Sequence, residues 1–197
     1  MSDSETIGFV GLGAMGIPMA QSLIRNGQQV LAYDIAGSAR QRAGEEGIPL
    51  CRDGRHLGEA CTVLITMLPN AEVVRTALFD DPGFVCQMPA GKLVVDMSSS
   101  YPPATRRLGA ELAEIGLALI DAPVSGGVGR ARSGKLTVMA GGSPDHVARA
   151  EPILAGMGQV QAVGALGNGH AMKALNNYVS AAGLIAACEA LIVGQKF

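Results

Sequence analysis

The sequence predicts an α/β fold in which a doubly wound, mostly parallel sheet is followed by one long helix. Three observations predict it. Short apolar runs alternate along the chain with helical patterns, and strands separated by helices of this length make βαβ units. The strand runs are apolar on both sides of the pleat, as strands inside a parallel sheet are. From Gly169 to Phe197 there is no proline, and alanine and leucine dominate. That stretch of around 28 residues reads as one helix of roughly 40 Å.

The elements follow in order. Thr6–Val10 (TIGFV) is an apolar strand, and Met15–Asn26 is a helix. Gln29–Tyr33 is the second strand and Ser38–Glu46 the next helix. Ile48–Cys51 reads as a short strand, and Asp53–Ala60 as a short helix that starts on a capping residue. Thr62–Met67 is a strand, and Ala71–Phe79 a helix broken by Asp80–Gly83 (DDPG). Leu93–Asp96 is a strand, Pro103–Ile115 a helix and Leu117–Asp121 a strand. Lys135–Ala140 and Gln159–Val163 add two late strands around the helix Pro144–Ala155. Residues 1–166 then make one domain, and 167–197 the start of the long helix.

Composition narrows the function. Of 197 residues, 48% are hydrophobic and 16% charged, enough apolar surface to offset ordering entropy. The net charge is −2, and no basic block occurs, which argues against a nucleic-acid partner. Cys51, Cys61, Cys86 and Cys188 lie far apart, as do His56, His146 and His170. Neither a disulfide scaffold nor a metal site is expected, and a reducing, cytoplasmic setting is the default. Met1–Thr6 is polar and acidic, unlike a targeting peptide. Tyr178–Val193 is interrupted by Ser180 and Glu189, so no membrane span is expected. The long helix is apolar almost all round, with nothing after it to bury it. The chain reads as cut short or as paired with a second copy, so a homo-oligomer is expected.

The strongest chemical signal is Gly11-Leu12-Gly13-Ala14-Met15-Gly16, a GxGxxG that follows a strand and opens a helix. Gly11 permits the turn, Gly13 lets backbone approach a pyrophosphate, and Gly16 lets the helix pack closely. The helix start offers free N–H groups and partial positive charge to phosphates. Alone, such glycines say little. Here the second strand ends at Asp34, 18 residues beyond Gly16, where a carboxylate meets ribose hydroxyls. The combination makes the sheet Rossmann-like and the cofactor NAD. Arg40 would admit NADP if it folded back over the ribose. Met67-Leu68-Pro69-Asn70 and Asp96-Met97-Ser98-Ser99-Ser100 follow later strands, where further cofactor contacts belong. The serines could equally cap the helix that follows.

Asp121-Ala122-Pro123-Val124-Ser125-Gly126-Gly127 follows another strand. Its uncovered N–H groups suit a carboxylate, although glycines also serve loop conformation alone. Lys173 and Asn177 share one face of the long helix at i and i+4. Spacing alone would leave Lys173 facing solvent. The Asn176-Asn177 pair inside an apolar helix points instead to function. Desolvation would lower the lysine pKa toward a range useful for proton transfer beside a hydride donor. His170 reads as a packing or capping residue.

These motifs together resemble the β-hydroxyacid dehydrogenases, of the 3-hydroxyisobutyrate dehydrogenase and tartronate semialdehyde reductase type. The resemblance runs from Ile7 to about Gly194. It rests on GLGAMGIPMA from Gly11, DAPVSGG from Asp121, and the pattern GxGxxxKxxxN from Gly167 to Asn177. It implies that Lys173 is the acid/base and Asn177 a substrate contact. It also implies that Ser125, Gly126 and Gly127 hold the substrate carboxylate, and that Leu68, Pro69 and Ser99 touch the cofactor. The expected substrate is a small 3-hydroxy acid or its semialdehyde. Two acidic residues expected after Ser-Gly-Gly in 6-phosphogluconate dehydrogenases are replaced by Val128-Gly129. Family members continue into an all-helical domain, so a cofactor-binding module without catalysis of its own is the competing expectation.

Overall fold

The computed structural model describes residues 5–80 and 83–197. Five strands form an all-parallel sheet: β1 (Thr6–Val10), β2 (Gln29–Tyr33), β3 (Val63–Thr66), β4 (Leu93–Asp96) and β5 (Ala118–Asp121). Their order is β2-β1-β3-β4-β5. The chain runs outward from β1 to β2, then restarts on the other side of β1 at β3. A crevice opens at such a switch point, above the carboxyl ends of the strands.

The pleat explains how the sheet is covered. Ile7, Phe9, Val63, Ile65, Leu93, Val95 and Ile120 project to one face. There they meet α1 (Gly16–Arg25), α2 (Gly37–Glu45) and α7 (Pro144–Leu154). Val10, Leu64, Val94 and Leu119 project to the other. That face packs against α3 (Gly54–Ala60), α4 (Ala71–Phe79) and α5 (Pro102–Glu114). Alternate residues of one strand thus serve two cores, which is why β3 and β4 are apolar throughout.

Where observation departs from expectation, local chemistry accounts for it. Ile48–Cys51 is not a strand: only Leu50 bridges to Ala32. Pro49 has a carbonyl for Ala32 but no N–H with which to continue a ladder. Asp81 and Pro82 of the predicted break, and Met1–Ser4, lie outside the described residues. After them Phe84–Gln87 forms a short 3-10 turn. A second, three-stranded sheet follows β5. In it β6 (Val124–Ser125) pairs antiparallel with β7 (Leu136–Ala140), and β7 pairs parallel with β8 (Gly158–Ala162). At two residues, β6 is too short to show a period. The second sheet joins the first through the bridge Asp121–Gly141, and α6 (Gly127–Arg132) lies between β6 and β7.

The last element, α8, spans Asn168–Gly194. Gly169 and His170 are buried, whereas Leu175, Tyr178, Val179, Leu184, Ile185, Leu191 and Ile192 are exposed. By length and mean hydropathy of 1.5 this helix is long and apolar enough to cross a bilayer. Its first turn is nevertheless enclosed in the folded domain, and Lys173 and Glu189 interrupt it.

Candidate active site

The first glycine turn joins β1 to α1. Gly11 has φ +99° and donates to the Tyr33 carbonyl. A Cβ there would collide with the Met67 carbonyl oxygen, and one at Gly16 with the Gly11 carbonyl oxygen. Two backbone segments therefore touch where side chains would sit. Gly13 is different, because nothing lies within 4 Å of the place its Cβ would take. The turn is closed at both ends and open in the middle. No side chain caps α1, and its first turn holds no acidic residue. By contrast α3, α4 and α7 are capped by Asp53, Asn70 and Ser143. The uncapped N–H groups of α1 suit a diphosphate.

Asp34, at the end of β2, accepts from the Leu12 N–H (2.6 Å) and the Ala36 N–H (2.8 Å). It thereby ties the second strand to the glycine turn. Arg40 folds back: its guanidinium donates to the carbonyls of Asp34 and Ile35 and stacks over Tyr33 at 5.4 Å. Beside them a cleft of about 260 Å³ is walled by Val10, Tyr33, Leu68, Val73, Ala77 and Phe84. It is mostly apolar, with Asp34, Thr76 and Asp80 also in its wall, and is large enough to take a flat heteroaromatic ring. Sequence reading missed this cleft, because its walls come from segments far apart in the chain.

Loops after β3 and β4 meet above the crevice. The Leu68 side chain abuts Gly11, and its N–H donates to Ser98 Oγ (2.9 Å). Pro69 and Ser99 are exposed on the same edge. The serines do not cap α5. Ser98 is engaged by Leu68, and Ser100 donates to Asp96 Oδ2 (3.1 Å). These groups, with the open turn, the uncapped helix and Asp34, fit NAD.

The second glycine turn lies at the end of β6. Gly126 has φ +133° and Gly127 φ +66°, conformations in which L side chains are strained. α8 reaches this turn from its own first turns, where Asn176 Nδ2 donates to Ser125 Oγ at 3.4 Å. Sequence reading favoured Asn177 of the asparagine pair. Asn177 is exposed and makes no side-chain hydrogen bond among the described residues. Lys173, one turn before, is half-buried, and desolvation pushes its pKa below the usual lysine value. Asp121, where β5 ends, accepts from the Gly167 and His170 N–H groups at 2.7 Å each. Burial raises its carboxyl pKa, while those N–H groups pull it back down.

Comparison with known proteins agrees with this fold. The NAD binding domain of 6-phosphogluconate dehydrogenase matches residues 6–167. The chain is 36% identical over 197 residues to a 2-(hydroxymethyl)glutarate dehydrogenase of Eubacterium barkeri. It is 39% identical over 195 residues to an L-threonate dehydrogenase of Cupriavidus necator. It covers 65% and 66% of those two proteins. Among solved structures, 3-hydroxyisobutyrate dehydrogenase of Mycobacterium tuberculosis with L-serine superposes with a TM-score of 0.92 at 36% identity. That match covers 98% of this chain and 65% of the other. Since the family match runs through every strand of the main sheet and through both glycine turns, the chain belongs to the family of the NAD binding domain of 6-phosphogluconate dehydrogenase, with relatives of the 3-hydroxyisobutyrate dehydrogenase type.

Proposed function

We propose that this chain carries the cofactor half and the proton-transfer residue of an NAD(P)-dependent 3-hydroxyacid dehydrogenase. The observation that carries the reading is the reach of Asn176 to Ser125. It brings the helix of Lys173 to the Ser125–Gly127 turn, which follows the carboxyl end of β5 by a few residues. The relatives' named substrates share a carboxylate with a hydroxyl nearby, which this pair of features suits.

When bound, nicotinamide accepts or supplies the hydride. The chain's own residues do the rest. The N–H groups of Gly126 and Gly127 and the Ser125 hydroxyl hold the substrate carboxylate. Asn177, free of protein partners among the described residues, takes the substrate hydroxyl side. Lys173 removes the hydroxyl proton as the amine during oxidation and returns it as the ammonium during reduction. Its partial burial makes that exchange easier by disfavouring the charged form. Lys173→Ala should lower turnover by about 10²–10⁴-fold and leave NADH affinity near wild type. Unchanged turnover would remove Lys173 from the mechanism.

NAD is the preferred cofactor because Asp34 presents a carboxylate at the ribose. The folded-back Arg40 also admits NADP. Arg40→Ala should weaken NADP by about tenfold, the worth of a charge-assisted hydrogen bond, and leave NAD nearly unchanged. Equal losses for both would deny Arg40 this role.

A second reading is favoured by the exposure of Gly126, Gly127 and Asn177. In it the chain binds dinucleotide without turning over substrate. An open site lets water compete. Steady-state oxidation of short 3-hydroxyacids by this chain separates the two: Lys173-dependent turnover rejects the second reading, and NADH binding without turnover supports it. We further propose that a second copy covers the bare face of α8, with light scattering at micromolar concentration as the test. A one-chain mass would exclude it.

A further inference from the structure

Among the buried ionisable groups of the described residues, His170 is one that the proposed chemistry leaves unused. Its side chain is fully buried, and every buried side-chain N and O atom among the described residues has a partner. Three elements grip it. Nε2 lies 3.1 Å from the Ser98 carbonyl after β4. A carbonyl only accepts, so Nε2 carries a proton. Nδ1 shares a hydrogen bond of 2.7 Å with the Thr105 hydroxyl on α5. The His170 backbone N–H donates to Asp121 Oδ2 at 2.7 Å. Two carboxylates flank the ring, Asp96 Oδ2 at 3.7 Å from Nε2 and Asp121 Oδ2 at 3.7 Å from Nδ1.

The partners of this histidine matter more than its burial. Ser98 touches both sides: its carbonyl receives the imidazole, its Oγ receives the Leu68 N–H at 2.9 Å, and its N–H donates to Asp96 Oδ1 at 3.0 Å. Two hydrogen bonds thus separate the Leu68 loop from His170, and one helical turn separates His170 from Lys173. The seat has no slack, because a Cβ on the neighbouring Gly169 would collide with the Met139 carbonyl oxygen. Simple packing would need only an apolar side chain of similar volume. A ring hydrogen-bonded to two different elements specifies direction.

We propose that His170 is a positioning residue that locks the first turn of α8 to the Leu68 and Ser98 loops, so that cofactor binding at those loops orders the helix segment bearing Lys173. The proposal rests on the reading above that the cofactor contacts those loops and that Lys173 reacts.

The test uses the whole chain with NADH as the probe, in wild type, His170→Ala, His170→Gln and Thr105→Val. Two quantities are read: NADH affinity by fluorescence titration, and amide hydrogen exchange over 11–16 and 171–177 with and without NADH. In wild type, NADH should slow exchange in both segments. In His170→Ala, affinity should stay within about fivefold, the low end of ordinary couplings. Protection should persist at 11–16 and disappear at 171–177. His170→Gln can still donate to the Ser98 carbonyl and should restore part of it. Thr105→Val should lose part of it, and it serves as the main variant if His170→Ala fails to fold. NADH-dependent protection of 171–177 at wild-type level in the variants overturns the proposal. So does exchange there that is faster overall but is still slowed by NADH by the wild-type factor, which is what a merely structural role produces. NADH binding without protection of 171–177 in wild type overturns it as well, and leaves the cofactor reading standing. Failure of wild type to bind NADH removes the functional reading itself, and this proposal with it.

Discussion

The first turn of α8 and the rest of the helix obey different physics. Gly167 offers no capping side chain. The carboxylate of Asp121 does that work from another strand, accepting two N–H groups of the helix start. His170 is 1% exposed there, whereas Tyr178 is 73% and Leu191 71% exposed. Beyond Asn176, which donates to Ser125 Oγ, the helix rests on its own hydrogen bonds and on alanine and leucine propensity. The contrast teaches that a long helix can be anchored at its first turns only. Lys173 stands at the border, close enough to the anchor to be held and desolvated, far enough out to meet a ligand.

The largest break in this comparison should come from Asp121→Ala. It leaves two buried N–H groups unpaired and should cost about 3–5 kcal/mol in urea unfolding. A loss below about 1 kcal/mol would mean that the anchor lies elsewhere. Next comes Gly169→Ala, whose methyl group meets the Met139 and Asp121 backbone. Overpacking of this kind should cost about 1–3 kcal/mol, whereas Gly183→Ala in the bare region meets nothing and should be neutral or stabilising. The border residue gives a sharper test by pH. Desolvation depresses Lys173 below the ordinary 10.5. Oxidation needs the amine, so its rate should rise with pH through a midpoint under that value. Reduction needs the ammonium and should fall over the same range. A midpoint at or above 10.5 would place the lysine in open water. The smallest effect belongs to Leu191→Ser. Stability of the single chain should change by no more than about 0.5 kcal/mol, while self-association weakens. A large loss of stability measured at concentrations where the chain is monomeric would show that the distal helix packs on the domain after all.

Much of the fold was legible because buried parallel strands and amphipathic helices announce themselves locally. Thr6–Val10, Gln29–Tyr33 and Leu93–Asp96 are strands over the ranges their apolar runs predict. Asp53 caps its helix as expected, accepting from the His56 N–H. The glycine turn was legible because Gly11 and Gly16 are spaced for one local geometry. Other features had no local signature. Val124–Ser125 is a strand only because β7 lies beside it. Whether Arg40 folds back, which the sequence left open, is decided by the Asp34 and Ile35 carbonyls that receive it. Of two adjacent asparagines, the one that meets Ser125 depends on the angle at which α8 leaves the domain.

By itself the sequence determined most of the order of elements and the dinucleotide turn, and it pointed to Lys173, because each depends on residues within a few turns of one another. Only the tertiary structure decided that β4, β5, α5 and α8 converge on His170, and that most of α8 stays bare. Those outcomes depend on burial and on hydrogen bonds across 49 to 72 residues of chain, separations over which local propensity carries no information.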